Sequence, residues 1–193
     1  LNKPFPAEKF VNKIPVKKHD HVLIPAGTVH CSGADTMVLE ISATPYIFTF
    51  KLWDWGRVDL DGKPRPIHLE HGAANIQWYR NTEWVHRNLV NAVAEVYTGE
   101  NGTVVRTGLH EREFLDTFRF TTSSALPVHR NGSVHMLNLV DGTRAVLRSK
   151  SDAFLPLELH YAETCIVPQA AGDYEIYSPD GSEVKVILAC VRN

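Results

Sequence analysis

Short runs of alternating apolar and polar positions, broken by turn residues, recur along this chain. The second half reads almost wholly as strand: the pattern predicts strands over residues 93–97, 103–107, 114–121, 134–140, 143–148, 157–159, 164–167, 174–178 and 184–191. Gly99-Glu100-Asn101-Gly102, Asn131-Gly132, Asp141-Gly142 and Asp180-Gly181 separate them. Asp141-Gly142, between two alternating runs, is the strongest hairpin signal. Short, evenly spaced strands with such turns indicate an antiparallel sandwich or barrel. The first half is more mixed. Residues 7–12 suit a short helix with Phe10 and Val11 apolar, ended by Pro15. Strands are predicted at 16–24, 36–41 and 46–52, then a polar turn at 59–64. A short helix at 69–76 precedes a return to strand.

Composition narrows the class. The chain has 193 residues, 44% hydrophobic and 22% charged, with a net charge of −2, enough for one large or two small globular domains. No basic tract suggests nucleic acid, no run is long enough to span a membrane, and no signal-peptide h-region opens the chain. Cys31, Cys165 and Cys190 have no metal-type spacing, and an odd, widely spaced count fits a reducing cytoplasm.

Candidate chemistry concentrates in the first half. Ile24-Pro25-Ala26-Gly27-Thr28-Val29-His30 is a strand ending in a Pro-x-Gly turn that delivers one histidine. Pro25 sets φ and Gly27 permits positive φ, so the turn can hold His30 in one orientation, as a metal ligand requires. Cys31 beside it points to the opposite strand face and reads as a small apolar side chain. Arg57 follows the compact Trp53-Asp54-Trp55-Gly56 turn; it suits a phosphate or oxyanion, or else a surface ion pair with Asp54 or Asp59. Glu40 is a partner for the histidine strand or a strand-end charge. Lys63 and Arg65 read as solvated charges, and His68 as structural. His19-Asp20-His21 places two imidazoles on one strand face, read as solvated and not as a metal site.

Pro-Ala-Gly-Thr-Val-His, then Leu39-Glu40-Ile41-Ser42, Phe50-Lys51-Leu52-Trp53-Asp54-Trp55-Gly56-Arg57 and Gly62-Lys63-Pro64-Arg65 resemble, in order, the class I mannose-6-phosphate isomerases of the cupin superfamily. The family pattern has Gly-Asp where this chain has His19-Asp20. A weak internal repeat, residues 163–170 against 19–26, accords with two related barrels; in the second copy Tyr174 lies near where a ligand histidine would fall.

The resemblance implies an all-β fold of cupin-type jelly rolls: a truncated first half-barrel, then a degenerate second barrel. Residues 1–92 would be the C-terminal portion of a catalytic domain plus a connecting segment, and 93–193 a second, metal-free domain. It implies zinc-dependent interconversion of mannose 6-phosphate and fructose 6-phosphate, with His30 on the metal and Arg57 stabilising charge. The hairpin carrying the other ligands would lie upstream, so the isolated chain is expected to be an inactive fragment holding little zinc. The alternative is a non-catalytic relative that binds carbohydrate or regulates. A homodimer through the incomplete first half would cover its strand edges.

Overall fold

The structure, a computed structural model, describes residues 5–42 and 49–192, and they divide into two compact units, Leu1–Asn91 and Ala92–Asn193. The second unit is built from ten strands: β1 (Ala94–Gly99), β2 (Gly102–Arg106), β3 (Leu115–Thr122), β4 (Ala125–Val128), β5 (His135–Asp141), β6 (Arg144–Ser149), β7 (Leu157–His160), β8 (Thr164–Val167), β9 (Tyr174–Tyr177) and β10 (Val184–Val191). All pair antiparallel, in two sheets ordered β1-β2-β3-β10-β5-β8 and β4-β9-β6-β7. From β3 to β10 this is an eight-stranded jelly roll of two four-stranded layers, with β1 and β2 widening one layer.

The core lies between the layers. β10 buries Val184, Val186, Leu188 and Cys190 at every second position, and β5 buries Leu137 and Leu139. Opposite them stand Leu126 and Val128 of β4, Tyr174 and Ile176 of β9, Ala145 and Leu147 of β6, and Leu159 of β7. The period of two places one face of each strand inward, where each large aliphatic side chain contributes roughly 1.5–3 kcal/mol on burial.

Asp141-Gly142 does not close a hairpin. β5 and β6 lie in opposite sheets, so the turn carries the chain across the sandwich, as Asn131-Gly132 and Asp180-Gly181 also do. Gly142 has φ +85°, and a Cβ there would stand 2.8 Å from Val184 Cγ1 and 3.0 Å from the Glu183 carbonyl. Turn chemistry specifies a reversal of direction; the pairing partner is chosen by which faces bury their apolar residues. The β1–β2 turn does form a hairpin, with Gly99 opposite Gly102. β4 went unrecognised because of Pro127, a residue tolerated here because β4 is a sheet edge.

The first unit departs from the strand pattern. Among its described residues the only β pairings are isolated bridges, Val22 with Val90 and Val58 with Pro64. Residues 16–24 and 36–41 form no ladder, and residues 46–48 of the third predicted strand lie outside the described residues. Strand-forming sequence becomes strand only when a neighbour takes its N–H and C=O groups, and these segments have no ladder partner. The helical elements are a 3₁₀ turn Ala7–Lys9, α1 (Leu69–Asn75) and α2 (Thr82–Asn88). α2 has no counterpart among the elements predicted from the sequence; Asn81 caps it, its Oδ1 accepting the Trp84 N–H at 3.0 Å. No helix among the described residues is long and apolar enough to cross a membrane.

Candidate functional site

The histidine turn is held from several directions. The Thr28 N–H donates to the Pro25 carbonyl at 3.2 Å, and the Gln77 N–H donates to the Gly27 carbonyl at 3.0 Å. Gly27 has φ +83°, and a Cβ there would stand 2.5 Å from the Asn75 carbonyl oxygen and 2.8 Å from Gln77 Cγ. Only glycine satisfies both the backbone conformation and the close approach. A residue the sequence did not single out completes the turn. Arg80 Nη1 donates to the Pro25 carbonyl at 3.0 Å, the Ala26 carbonyl at 2.7 Å and Thr28 Oγ1 at 2.5 Å. Its guanidinium carbon lies 5.5 Å from the Tyr79 ring centre and 5.4 Å from that of Trp84.

His30 is exposed, and its Nδ1–H donates to the Thr28 carbonyl at 2.9 Å. The neutral ring then carries its lone pair on Nε2, the arrangement of a histidine ready to ligate a metal. Among the described residues, however, no group of three or more His, Cys, Asp or Glu could hold an ion. His30 therefore fits one ligand position, and the described residues do not complete a three-ligand centre.

Arg57 closes a tight turn. Trp55 and Gly56 have φ +57° and +68°, and the Arg57 N–H donates to the Asp54 carbonyl at 2.9 Å. Positive φ at both central residues is the conformation of a type I′ turn. Neither acid suggested as its partner pairs with it. Asp54 is paired to Arg65, with Nη2 donating to Oδ1 at 2.8 Å and Nε beside Oδ2. Asp59 Oδ1 accepts the backbone N–H of Asp61 at 3.0 Å and of Lys63 at 2.8 Å. The Arg57 guanidinium is exposed and makes no hydrogen bond or ion pair among the described residues. Arg65 is thus not the solvated charge its turn sequence suggested: it fixes the Trp-Asp-Trp-Gly turn from across the loop, and Arg57 is left available. His30 and Arg57 share the first unit, and no hydrogen bond links their side chains.

The other candidates resolve differently. Glu40 and Val38 are both exposed, so neither faces inward. His68 Nδ1 accepts the Lys51 N–H at 3.2 Å and joins two segments of the unit. His19 has φ +71°, which breaks the extended geometry that would set His19 and His21 on one face. Asp20 and His21 are instead tied to Asn91, whose Nδ2 donates to Asp20 Oδ1 at 3.0 Å and whose Oδ1 accepts the His21 N–H at 2.9 Å.

Inside the second unit Tyr174 is fully buried, with its hydroxyl 2.9 Å from His135 Nδ1. His135 Nε2 lies 3.1 Å from Asn131 Oδ1. Asn131 Nδ2 donates to Cys190 Sγ and to the Val191 carbonyl, each at 3.3 Å, so its oxygen faces the imidazole and Nε2 carries the proton. Burial, with the Arg130 charge added, lowers the His135 pKa to about 4. Burial also raises the Tyr174 hydroxyl well above its usual value and the Cys165 thiol to about 11. All three are neutral near pH 7, and His135, Tyr174 and Asn131 are hydrogen-bonded in a chain, which describes a packed polar core. Cys31 is exposed, and all three cysteines are unpaired.

No family model matches the sequence. Over 63 residues it is 35% identical to mannose-6-phosphate isomerase of Streptococcus mutans, covering 33% of this chain and 20% of that protein. Over 70 residues it is 33% identical to mannose-6-phosphate isomerase ManA of Bacillus subtilis, covering 36% and 22%. The chain thus matches only about a fifth of the length of these curated relatives. The crystal structure of the Bacillus subtilis mannose 6-phosphate isomerase superposes with a TM-score of 0.53 at 13% identity, covering 72% of this chain and 39% of that one, a likeness of fold. The chain is therefore a mostly β, cupin-type jelly-roll protein that resembles the mannose-6-phosphate isomerases over about a third of its sequence.

Proposed function

We propose that this chain is the part of a zinc-dependent aldose–ketose isomerase that carries its last metal ligand and its charge-stabilising arginine, acting on mannose 6-phosphate and fructose 6-phosphate in the cytoplasm. The observation that carries the reading is the 33–35% identity to two proteins named mannose-6-phosphate isomerase. In this reading residues 1–92 complete a catalytic domain and 93–193 form a second domain that holds no metal. The second half of that statement draws support from His135, whose two ring nitrogens are both engaged.

His30 would present Nε2 to zinc while the Thr28 carbonyl holds Nδ1–H. When bound, zinc polarises sugar oxygens and stabilises negative charge. The chain's own residues would act around it. The type I′ turn and the Asp54–Arg65 pair hold the Arg57 backbone, and the unpaired guanidinium can donate to an anionic sugar oxygen or a phosphate. A second reading is a relative that binds sugar phosphate without turnover, for which the exposed Arg57 guanidinium supplies an anion-binding group without any metal.

The test is Arg57→Ala in the whole gene product, with metal analysis of the same preparations. Removing such a donor costs roughly 3 kcal/mol in the transition state, about a hundredfold in kcat. The melting temperature should stay within about 3 °C, because Arg57 has no side-chain partner to lose among the described residues. Stoichiometric zinc with this loss of kcat supports the enzyme; sugar-phosphate binding without turnover supports the second reading.

A further inference from the structure

The exposed imidazole of His30 is oriented by one hydrogen bond, to the Thr28 carbonyl. Thr28 in turn is held through its side chain by Arg80, 52 residues further along the chain. The same guanidinium nitrogen holds the carbonyls of Pro25 and Ala26, so Arg80 grips three of the four residues between positions 25 and 28. Arg80 is itself placed. It lies against the rings of Tyr79 and Trp84, which meet edge to face at 5.5 Å, and Asn81 caps the helix that carries Trp84. The Arg80 N–H donates to the Gln77 carbonyl at 3.0 Å, and Gln77 is the residue bonded to Gly27. A continuous set of contacts therefore runs from the start of α2 to the histidine ring.

We propose that Arg80 is a positioning residue for His30: by clamping Thr28 and the two carbonyls before it, it fixes the imidazole with Nδ1 protonated and Nε2 presented outward as a ligand nitrogen. The inference rests on the metal-ligand reading of His30 for its purpose, but its geometric content does not need metal. A free histidine side chain favours the other tautomer, with the proton on Nε2, and an exposed ring on an unclamped turn would return to it. All three contacts come from one guanidinium nitrogen, so the three-donor ammonium of a lysine at 80 can replace some of them, without the planar group that lies against Tyr79 and Trp84.

The experiment uses ¹⁵N-labelled chain and reads the His30 ring nitrogens by long-range ¹H–¹⁵N NMR, the signals being assigned by their loss in His30→Gln. Far-UV circular dichroism and tryptophan fluorescence check the fold of each variant. The wild type is expected to show the Nδ1–H form. Arg80→Met is expected to give mainly the Nε2–H form, and Arg80→Lys to restore part of the wild-type signature. Thr28→Val, which removes only the hydroxyl that Arg80 holds, is expected to shift the tautomers in the same direction and serves if Arg80→Met does not fold. Zinc ion alone, titrated into each, should bind His30 about tenfold more weakly in Arg80→Met, the scale of losing a group that orients a ligand. Wild-type tautomers in a folded Arg80→Met, or in Thr28→Val, would overturn the proposal. A wild-type His30 that keeps Nδ1–H but ignores zinc would instead count against the metal reading alone and leave the positioning role standing.

Discussion

Acidification should destabilise the second unit through one residue, His135. Its side chain is 2% exposed, Nε2–H donates to Asn131, and Nδ1 accepts from Tyr174, so the folded state holds it neutral. Its pKa is lowered to about 4, against about 6.5 for a histidine in an unfolded chain. The sign follows from proton counting. Between these values the unfolded chain binds a proton that the folded one refuses, so the stability conferred is complete above about pH 6.5 and falls as pH drops toward 4. At about 1.36 kcal/mol per unit, the loss relative to pH 7 is roughly 2 kcal/mol by pH 5 and roughly 3 kcal/mol by pH 4. The carboxylates of Asp173, Glu163 and Asp180, held low by hydrogen bonds, contribute in a lower window, as pH falls below about 4.5. Urea unfolding followed by far-UV circular dichroism between pH 7 and 5 measures the effect, because all four tryptophans lie in the first unit and the β signal reports the second. His135→Phe should start less stable at pH 7, because the Tyr174 hydroxyl and Asn131 Oδ1 each lose their bond to the imidazole, and then lose about 2 kcal/mol less than wild type on the way to pH 5. The other nine histidines are common to both proteins and cancel in the difference. Parallel stability curves, or an NMR titration of His135 centred near 6.5, would refute the reasoning.

Further outcomes are expected. Leu147→Ala empties a fully buried position between the sheets and should cost roughly 3 kcal/mol in urea unfolding of the second unit, against a few tenths for the exposed Leu155→Ala. Gly27→Ala would drive a Cβ to 2.5 Å from the Asn75 carbonyl oxygen at a positive φ; tryptophan fluorescence should show the first unit destabilised by more than about 1 kcal/mol while the β signal of the second is unchanged. Met37, Val38 and Trp78 are 77%, 61% and 75% exposed in the first unit, and this apolar surface predicts self-association of the chain. Light scattering across micromolar concentrations should show mass rising with concentration, and a constant monomer mass would count against it.

What the sequence determined by itself is the local part of this protein. Alternation located nine of the ten strands of the second unit to within a residue or two, since the two-residue period of a half-buried strand is written in neighbouring positions. The Pro-x-Gly motif located the turn that carries His30 because its φ requirements are intrinsic to Pro25 and Gly27. Tertiary structure decided everything that depends on a distant partner. It sent the Asp141-Gly142 turn across the sandwich, because the inner faces of β5 and β6 bury their apolar residues in opposite sheets. Residues 16–24 and 36–41 have strand composition without a ladder, because backbone groups need a neighbour to bond. Asp54 found Arg65 and not Arg57, and Arg80 came to the histidine turn across more than fifty residues. Neither pairing has a local signature: an arginine's reach is set by where the fold places its Cα, and its neighbours in sequence carry no record of what it will hold.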